Sequence, residues 1–383
     1  MSNRCERAKR PIPYISAATH VLRVDGLVHR PLDLSPHQLR TEFPQHTVTC
    51  ALQCAGNRRH TMRTLLKEVD GIDWRDGAVM NARWRGPRLR DVLSRAGVSL
   101  DDEEERRRAH VAFACFQTKC QDDGWYGGSI ALERGMSVEA EVILALDMND
   151  KPLPPSHGFP VRALAPGIAG ARSVKWLDRI TVQLAESQNY YQQHDYKILP
   201  PQATSRELAK KYWPLCPSIQ GMPVNSVVCV PTTGDTVVVV APPARGEKPR
   251  VEVRGYALPA GDHGPIVKVE VSADDGRTWT PATLTRGEGA GNWAWTLWRA
   301  EVALPPGEGR RVVSRATDRG GNVQSESAEW NFRGVAYNGW GEARGLNVVV
   351  AAAGTNGHGC VEENGGGSLM RNVGNTERTV AGH

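Results

Sequence analysis

The chain has 383 residues, of which 40% are hydrophobic and 23% charged, with a formal net charge of +5. Such a composition fits a globular protein with room for two cores of ordinary size, and no run of about 18 apolar residues is present to span a bilayer. The small positive excess, without Lys/Arg runs interleaved with aromatics, argues against a nucleic-acid binder and suits a small anionic substrate.

Arg4, Arg7, Lys9 and Arg10 form a short basic start, read as a solvated terminus rather than a targeting remnant. No secretory signal is expected, so reduced thiols are expected too. Residues 20–28 alternate as a strand. Ser35 and Pro36 supply a cap and a first-turn proline for a short helix through Phe43. Residues 46–53 read as a second strand that ends at Cys54-Ala55-Gly56-Asn57, and residues 88–96 carry helical spacing that stops at Gly97. The DDEEERRR run at 101–108 reads as a solvated helix or loop. Further strands are expected near 110–115, 141–147, 160–165 and 178–184. Residues 189–222, rich in Tyr, Gln and Pro, look like a long connection.

From Val224 onward short β-branched runs alternate with turns: SVVCVP, TVVVVA, RVEVRGY, IVKVEVS, WAWTLW and RVVSRAT. Asp275-Gly276 between two of them signals a hairpin. This spacing predicts an immunoglobulin-like β-sandwich. The sequence thus reads as an α+β domain over residues 1–216, a sandwich over 217–350 and a Gly/Asn-rich tail, 351–383, expected to be disordered.

The segment LQCAGNRRHTM, Leu52 to Met62, is the most informative. A cysteine at a strand end, followed by Ala-Gly-Asn, is a thiol on an uncrowded loop. Two nearby arginines favour the thiolate, which is the ligand and nucleophile form and suits a soft, redox-active metal. A buried structural thiol is the competing reading. The eight cysteines contain no CxxC pair, so a zinc ribbon is not expected.

LQCAGNRR closely resembles the molybdenum-binding signature of the sulfite oxidase family, which also includes the molybdenum domain of eukaryotic nitrate reductases. The likeness continues in order through Ala82–Gly86, Leu89–Leu93, Tyr126–Ile130, Asn149–Leu153, His157–Arg162 and Pro166–Leu177. It extends into the β-rich half through Arg254–Ala257, Asp275-Gly276 with Thr278-Trp279, and Trp330–Gly334, and covers roughly residues 7–346.

The resemblance implies a molybdopterin-binding domain followed by an immunoglobulin-like dimerisation domain, and hence a homodimer. It implies a molybdenum–molybdopterin cofactor with Cys54 as the protein's metal ligand. His157, Arg162, Ser173 and Lys175 match the family's cofactor cradle. Arg7, Arg59 and Arg333 match its pocket arginines, Trp74 its pocket tryptophan and Tyr196 its pocket tyrosine, with Asp195 beside it. Nitrate reductases carry Asn at the position of Tyr196 and commonly Met at that of Arg333, so this chain makes the sulfite oxidase choice at both. The implied reaction is oxidation of sulfite to sulfate by oxygen-atom transfer, with electrons passed to oxygen or an external cytochrome. A nitrate reductase-like enzyme is the alternative. No haem-binding segment, membrane or nucleic-acid partner is expected. The expected location is intracellular, with mitochondrial intermembrane space, peroxisome and cytosol left open.

Overall fold

In the computed structural model, residues 12–240 and 248–351 are described. Arg7 and the 352–383 part of the expected tail lie outside them.

The first domain is built on two larger sheets and an antiparallel pair, Ile143–Ala145 with Arg162–Leu164. One has five strands in the order Leu32–Leu34, Leu22–Gly26, Arg179–Gln183, His110–Cys115, Tyr126–Ala131. Leu22–Gly26 runs parallel to Arg179–Gln183, and the other neighbours are antiparallel. The apolar face of the helix Leu89–Ala96 joins the core under this sheet. Leu89, Val92, Leu93 and Ala96 are all buried there, at the 3.6-residue spacing that puts one stripe inward. Gly97, at φ 70°, closes the helix. The second sheet has the order Gln45–Gln53, Val79–Pro87, Asp147–Met148, Lys151–Pro152. Its first strand delivers Cys54.

The helix Pro36–Thr41 starts where the sequence puts it. Ser35 and Gln38 form a reciprocal capping box, and Pro36 occupies the first turn. The acid–base run folds as the exposed helix Glu103–Arg108, capped by Asp102. The connection 189–222 is less irregular than expected. It holds a single π-type turn, Tyr191–Asp195, and the helix Arg206–Tyr212 capped by Ser205.

The second domain is a β-sandwich. A four-stranded sheet, Asn225–Val230, Arg250–Leu258, Thr296–Ala303, Thr283–Thr285, faces a five-stranded one, Thr236–Val239, Gly341–Val350, Gly307–Asp318, Ile266–Ser272, Thr280–Pro281. Strand Thr296–Ala303 alternates strictly, with Thr296, Trp298, Ala300 and Val302 inward. The Asp275-Gly276 pair turns with φ of 57° and 82°, the signature of a primed hairpin turn.

One expected run begins late. Of WAWTLW, only Thr296 onward is strand. Trp293 and Trp295 are diverted to the first domain. The Trp293 indole donates to Glu141 Oε2 at 2.7 Å, its carbonyl accepts from Ala51 N–H at 2.9 Å, and Trp295 N–H donates to Asn81 Oδ1 at 3.2 Å. Domain contact outcompetes strand pairing at these residues.

Candidate active site

Cys54 sits where strand Gln45–Gln53 ends. Its N–H donates to Ala78 O, and its carbonyl accepts from Asn57 N–H, both at 2.9 Å. Asn57 fixes the turn through its side chain, donating to Tyr256 Oη at 2.9 Å and accepting from Ala78 N–H at 3.0 Å. Ala55 O accepts from Ala336 N–H of the second domain at 2.7 Å. The thiol loop is therefore held by both domains.

Two cysteines on this stretch separate cleanly. Cys50 is fully buried within the sheet, and burial pushes its thiol up to about 12, so it stays protonated and inert. Cys54 is only half-buried and lies within electrostatic reach of Arg59.

The adjacent arginines also divide. Arg58 adopts the left-handed conformation, φ 64°, and turns its buried side chain into the domain interface. There it donates to Asn225 Oδ1 at 2.9 Å and Trp340 O at 2.6 Å, with its guanidinium 4.8 Å from the Tyr337 ring centre. Arg59, first residue of the helix Arg59–Leu65, turns the other way. Its Nε donates to Arg333 O and its Nη1 to Ile72 O, both at 2.9 Å. A Cβ on Gly56 or Gly71 would lie 2.6 or 2.7 Å from Arg59 Cζ, so two glycines form the slot that takes this guanidinium. Burial lowers its pKa, Cys54 opposes that shift, and Arg333, Tyr196 and Asp195 act on the same group.

Arg333 comes from the second domain's far end of sequence, yet its Nη2 lies 3.0 Å from Asp195 Oδ1. Asp195 ends the π-type turn and Tyr196 follows it. Such turns widen the helix and re-aim side chains, commonly at functional sites. Behind Tyr196 lies Arg172, fully buried, its guanidinium 5.7 Å from the ring centre and its Nη2 donating to Ile219 O at 2.9 Å. Trp74 is half-buried on the loop that carries Ile72, its backbone paired with Ile72 and His60.

The expected cofactor residues form a second cluster. Arg162 donates from Nη1 to His157 O at 3.0 Å and from Nη2 to Ser173 O at 2.8 Å. Lys175 Nζ donates to Ser156 O at 3.0 Å. Ser173 Oγ accepts from Ala165 N–H at 3.1 Å. Gly158, at φ 108°, stands between them. A Cβ there would meet Lys175 Cβ at 3.0 Å and Arg162 Cβ at 3.1 Å. Burial first, then the charges of Arg162 and Lys175, bring the His157 pKa down to about 4. This is a densely basic cradle, whose donors suit an anionic phosphate. Gly170 brings the adjoining loop against the Cys54 strand, since its Cβ would lie 3.0 Å from Gln53 O.

Cys54, Arg59, Arg333, Asp195 and Tyr196 thus meet in one place. Arg172, the Gly56–Gly71 slot and Asp70, whose Oδ2 accepts from Arg333 Nη1 at 2.9 Å, were not singled out by the sequence. A lone Gly or Asp in a loop carries no sign of what it will face.

The model of the oxidoreductase molybdopterin-binding domain matches residues 9–191, and that of the Mo-co oxidoreductase dimerisation domain matches 216–344. The chain is 42% identical to the mitochondrial sulfite oxidase of Homo sapiens over 86% of its own length and 58% of that protein's. It is 35% identical to the sulfite oxidase of Arabidopsis thaliana, over 88% of this chain and 84% of that one, and 34% identical to an NADH nitrate reductase of Solanum lycopersicum, over 86% and 36%. The chain spans less than two thirds of the length of the mammalian relatives it matches. Among solved structures, the sulfane dehydrogenase SoxCD from Paracoccus pantotrophus superposes with a TM-score of 0.66 at 25% identity, over 88% of this chain and 80% of that one. No helix among the described residues is long and apolar enough to cross a membrane. Two domains matched in order, and relatives at about 40% identity, place the chain in the sulfite oxidase family of molybdopterin oxidoreductases.

Proposed function

We propose that this protein oxidises sulfite to sulfate. Molybdenum bound to the pterin would supply the oxygen-atom transfer and take up the electron pair. Cys54 would hold the metal through its thiolate, and Arg162, Lys175, His157 and Ser173 would hold the pterin phosphate. The chain's own contribution is electrostatic. Arg59 and Arg333 are planar, permanently charged donors that can grip a small oxyanion from two sides. Fixed donors of this kind stabilise charge as it develops and cost no reorganisation. The Tyr196 hydroxyl would add a hydrogen bond to the anion, while Asp195 orients Arg333. Arg7 would complete the arginine set from the N-terminal segment.

The observation that carries this reading is the meeting of Arg59 and Arg333 beside Tyr196 and Asp195. A third guanidinium, Arg333 where nitrate reductases commonly carry Met, favours a substrate pair whose product is a dianion over monoanionic nitrate. The nitrate reductase reading draws on the tomato relative. The two separate in a paired assay of metal-replete protein: sulfite with ferricyanide, and nitrate with reduced viologen. Turnover in the first alone is expected; turnover in the second alone would overturn the proposal. Electrons would pass to oxygen or an external cytochrome. The dimerisation-type sandwich supports a homodimer. The proposed domain limits are 1–216 and 217–350.

A further inference from the structure

Arg333 is held by two carboxylates. Beyond Asp195, its Nη1 donates to Asp70 Oδ2 at 2.9 Å. Asp70 is contested in turn, because Arg206 Nε donates to the same Oδ2 at 2.8 Å. Asp195, Arg333, Asp70 and Arg206 make a row of alternating charge that runs outward. Their side chains are 9%, 12%, 27% and 69% exposed.

Asp70 is fixed for this task. Its N–H donates to Phe332 O at 2.8 Å, one residue before Arg333, and the next residue, Gly71, lines the Arg59 slot. Arg206 opens a helix whose Ser205 cap accepts from Leu208 N–H at 3.2 Å, so its backbone is anchored although its side chain is exposed. Burial acts against the Asp70 anion, but Arg206 and Arg333 outweigh it and keep the carboxyl below its ordinary range. Asp70 is therefore charged at neutral pH.

A guanidinium facing two carboxylates has little net charge left for an incoming oxyanion, which must compete for its donors. We propose that Asp70 is a positioning residue that sets the pocket's affinity for a doubly charged oxyanion by holding Arg333, and that Arg206 tunes the hold by competing for the same carboxylate oxygen. The inference rests on the sulfite reading and deepens it. A pocket of undiluted arginines would retain sulfate, its own product; the Asp70 arm weakens that retention.

The test is calorimetric titration of the molybdenum-loaded protein with sodium sulfate, alongside the sulfite KM. Removing one negative charge behind Arg333 in Asp70→Asn should tighten the sulfate Kd by about fivefold and lower the KM in step. Arg206→Gln should weaken sulfate by about twofold, and that effect should disappear in the Asp70→Asn background. Opposite signs and their cancellation are not produced by a merely structural Asp70. An unmoved or weaker Kd in folded Asp70→Asn overturns the inference. So does an Arg206→Gln effect that persists undiminished in the double variant. If Asp70→Asn does not fold, Arg206→Gln, at an exposed position, still decides: unchanged or tighter sulfate binding overturns it. Wild-type protein that neither oxidises sulfite nor binds sulfate defeats the sulfite reading and this inference together. Wild-type protein that does both, with Asp70→Asn unmoved, defeats only the latter.

Discussion

The basic cradle and the candidate substrate pocket are built in opposite ways. The cradle draws its side chains from residues 157–175, and Gly158 lets Arg162 and Lys175 close on one another. The pocket takes Cys54 and Arg59 from a strand end and the helix start that follows it, Asp195 and Tyr196 from the end of a π-type turn, and Arg333 from the other domain. A local cradle depends on one stretch of chain folding correctly. A pocket assembled from such distant parts depends on the domains being docked, and its charges can be retuned by residues such as Asp70 without disturbing the cradle.

The largest effect that sharpens this contrast is expected at Cys54. Cys54→Ser should abolish sulfite turnover while leaving the melting temperature within a few degrees, since the half-buried side chain keeps its size. Full turnover in that variant would remove the thiolate from the reaction. Next, the two regions should fail differently. Arg333→Met removes a charge-assisted contact to the anion and should raise the sulfite KM about tenfold or more, at unchanged molybdenum and pterin content. Arg162→Ala should lower the pterin content and leave the KM of the loaded fraction unmoved. Finding both defects in both variants would erase the distinction.

The smallest effect concerns acid stability. In the folded protein His157 stays neutral down to about pH 4, whereas the unfolded chain takes up that proton below its ordinary 6.5. The unfolded state thus binds more protons in this window. Stability present above pH 6.5 is lost as pH falls towards 4. His157→Gln should flatten the fall in melting temperature across that window and nowhere else; an unaltered slope would assign the acid sensitivity to other groups.

The same contrast explains what the sequence revealed. Strands with strict alternation, the Ser35–Gln38 cap and the Asp275-Gly276 turn depend on neighbours in the chain, and each was legible. The thiol loop and the basic cradle were legible as motifs. That Arg59 rather than Arg58 belongs to the pocket came from the family resemblance and not from the local residue pattern, because one left-handed residue decides which of the two faces the thiol. The diversion of Trp293 and Trp295 and the grip of Asp70 on Arg333 were not legible, since these depend on residues far along the chain.

Arg58 reaches Asn225 and Trp340, and Ala336 caps the carbonyl beside the thiol. Breaking those bonds would leave a buried guanidinium and an amide stranded, each at a cost of about 1–3 kcal/mol or more. The thiol loop and the sandwich are tied together as one unit by these bonds. A chimera that exchanges the sandwich must therefore carry over the counterparts of positions 225 and 336–340, or the thiol will lose its footing before any chemistry is measured.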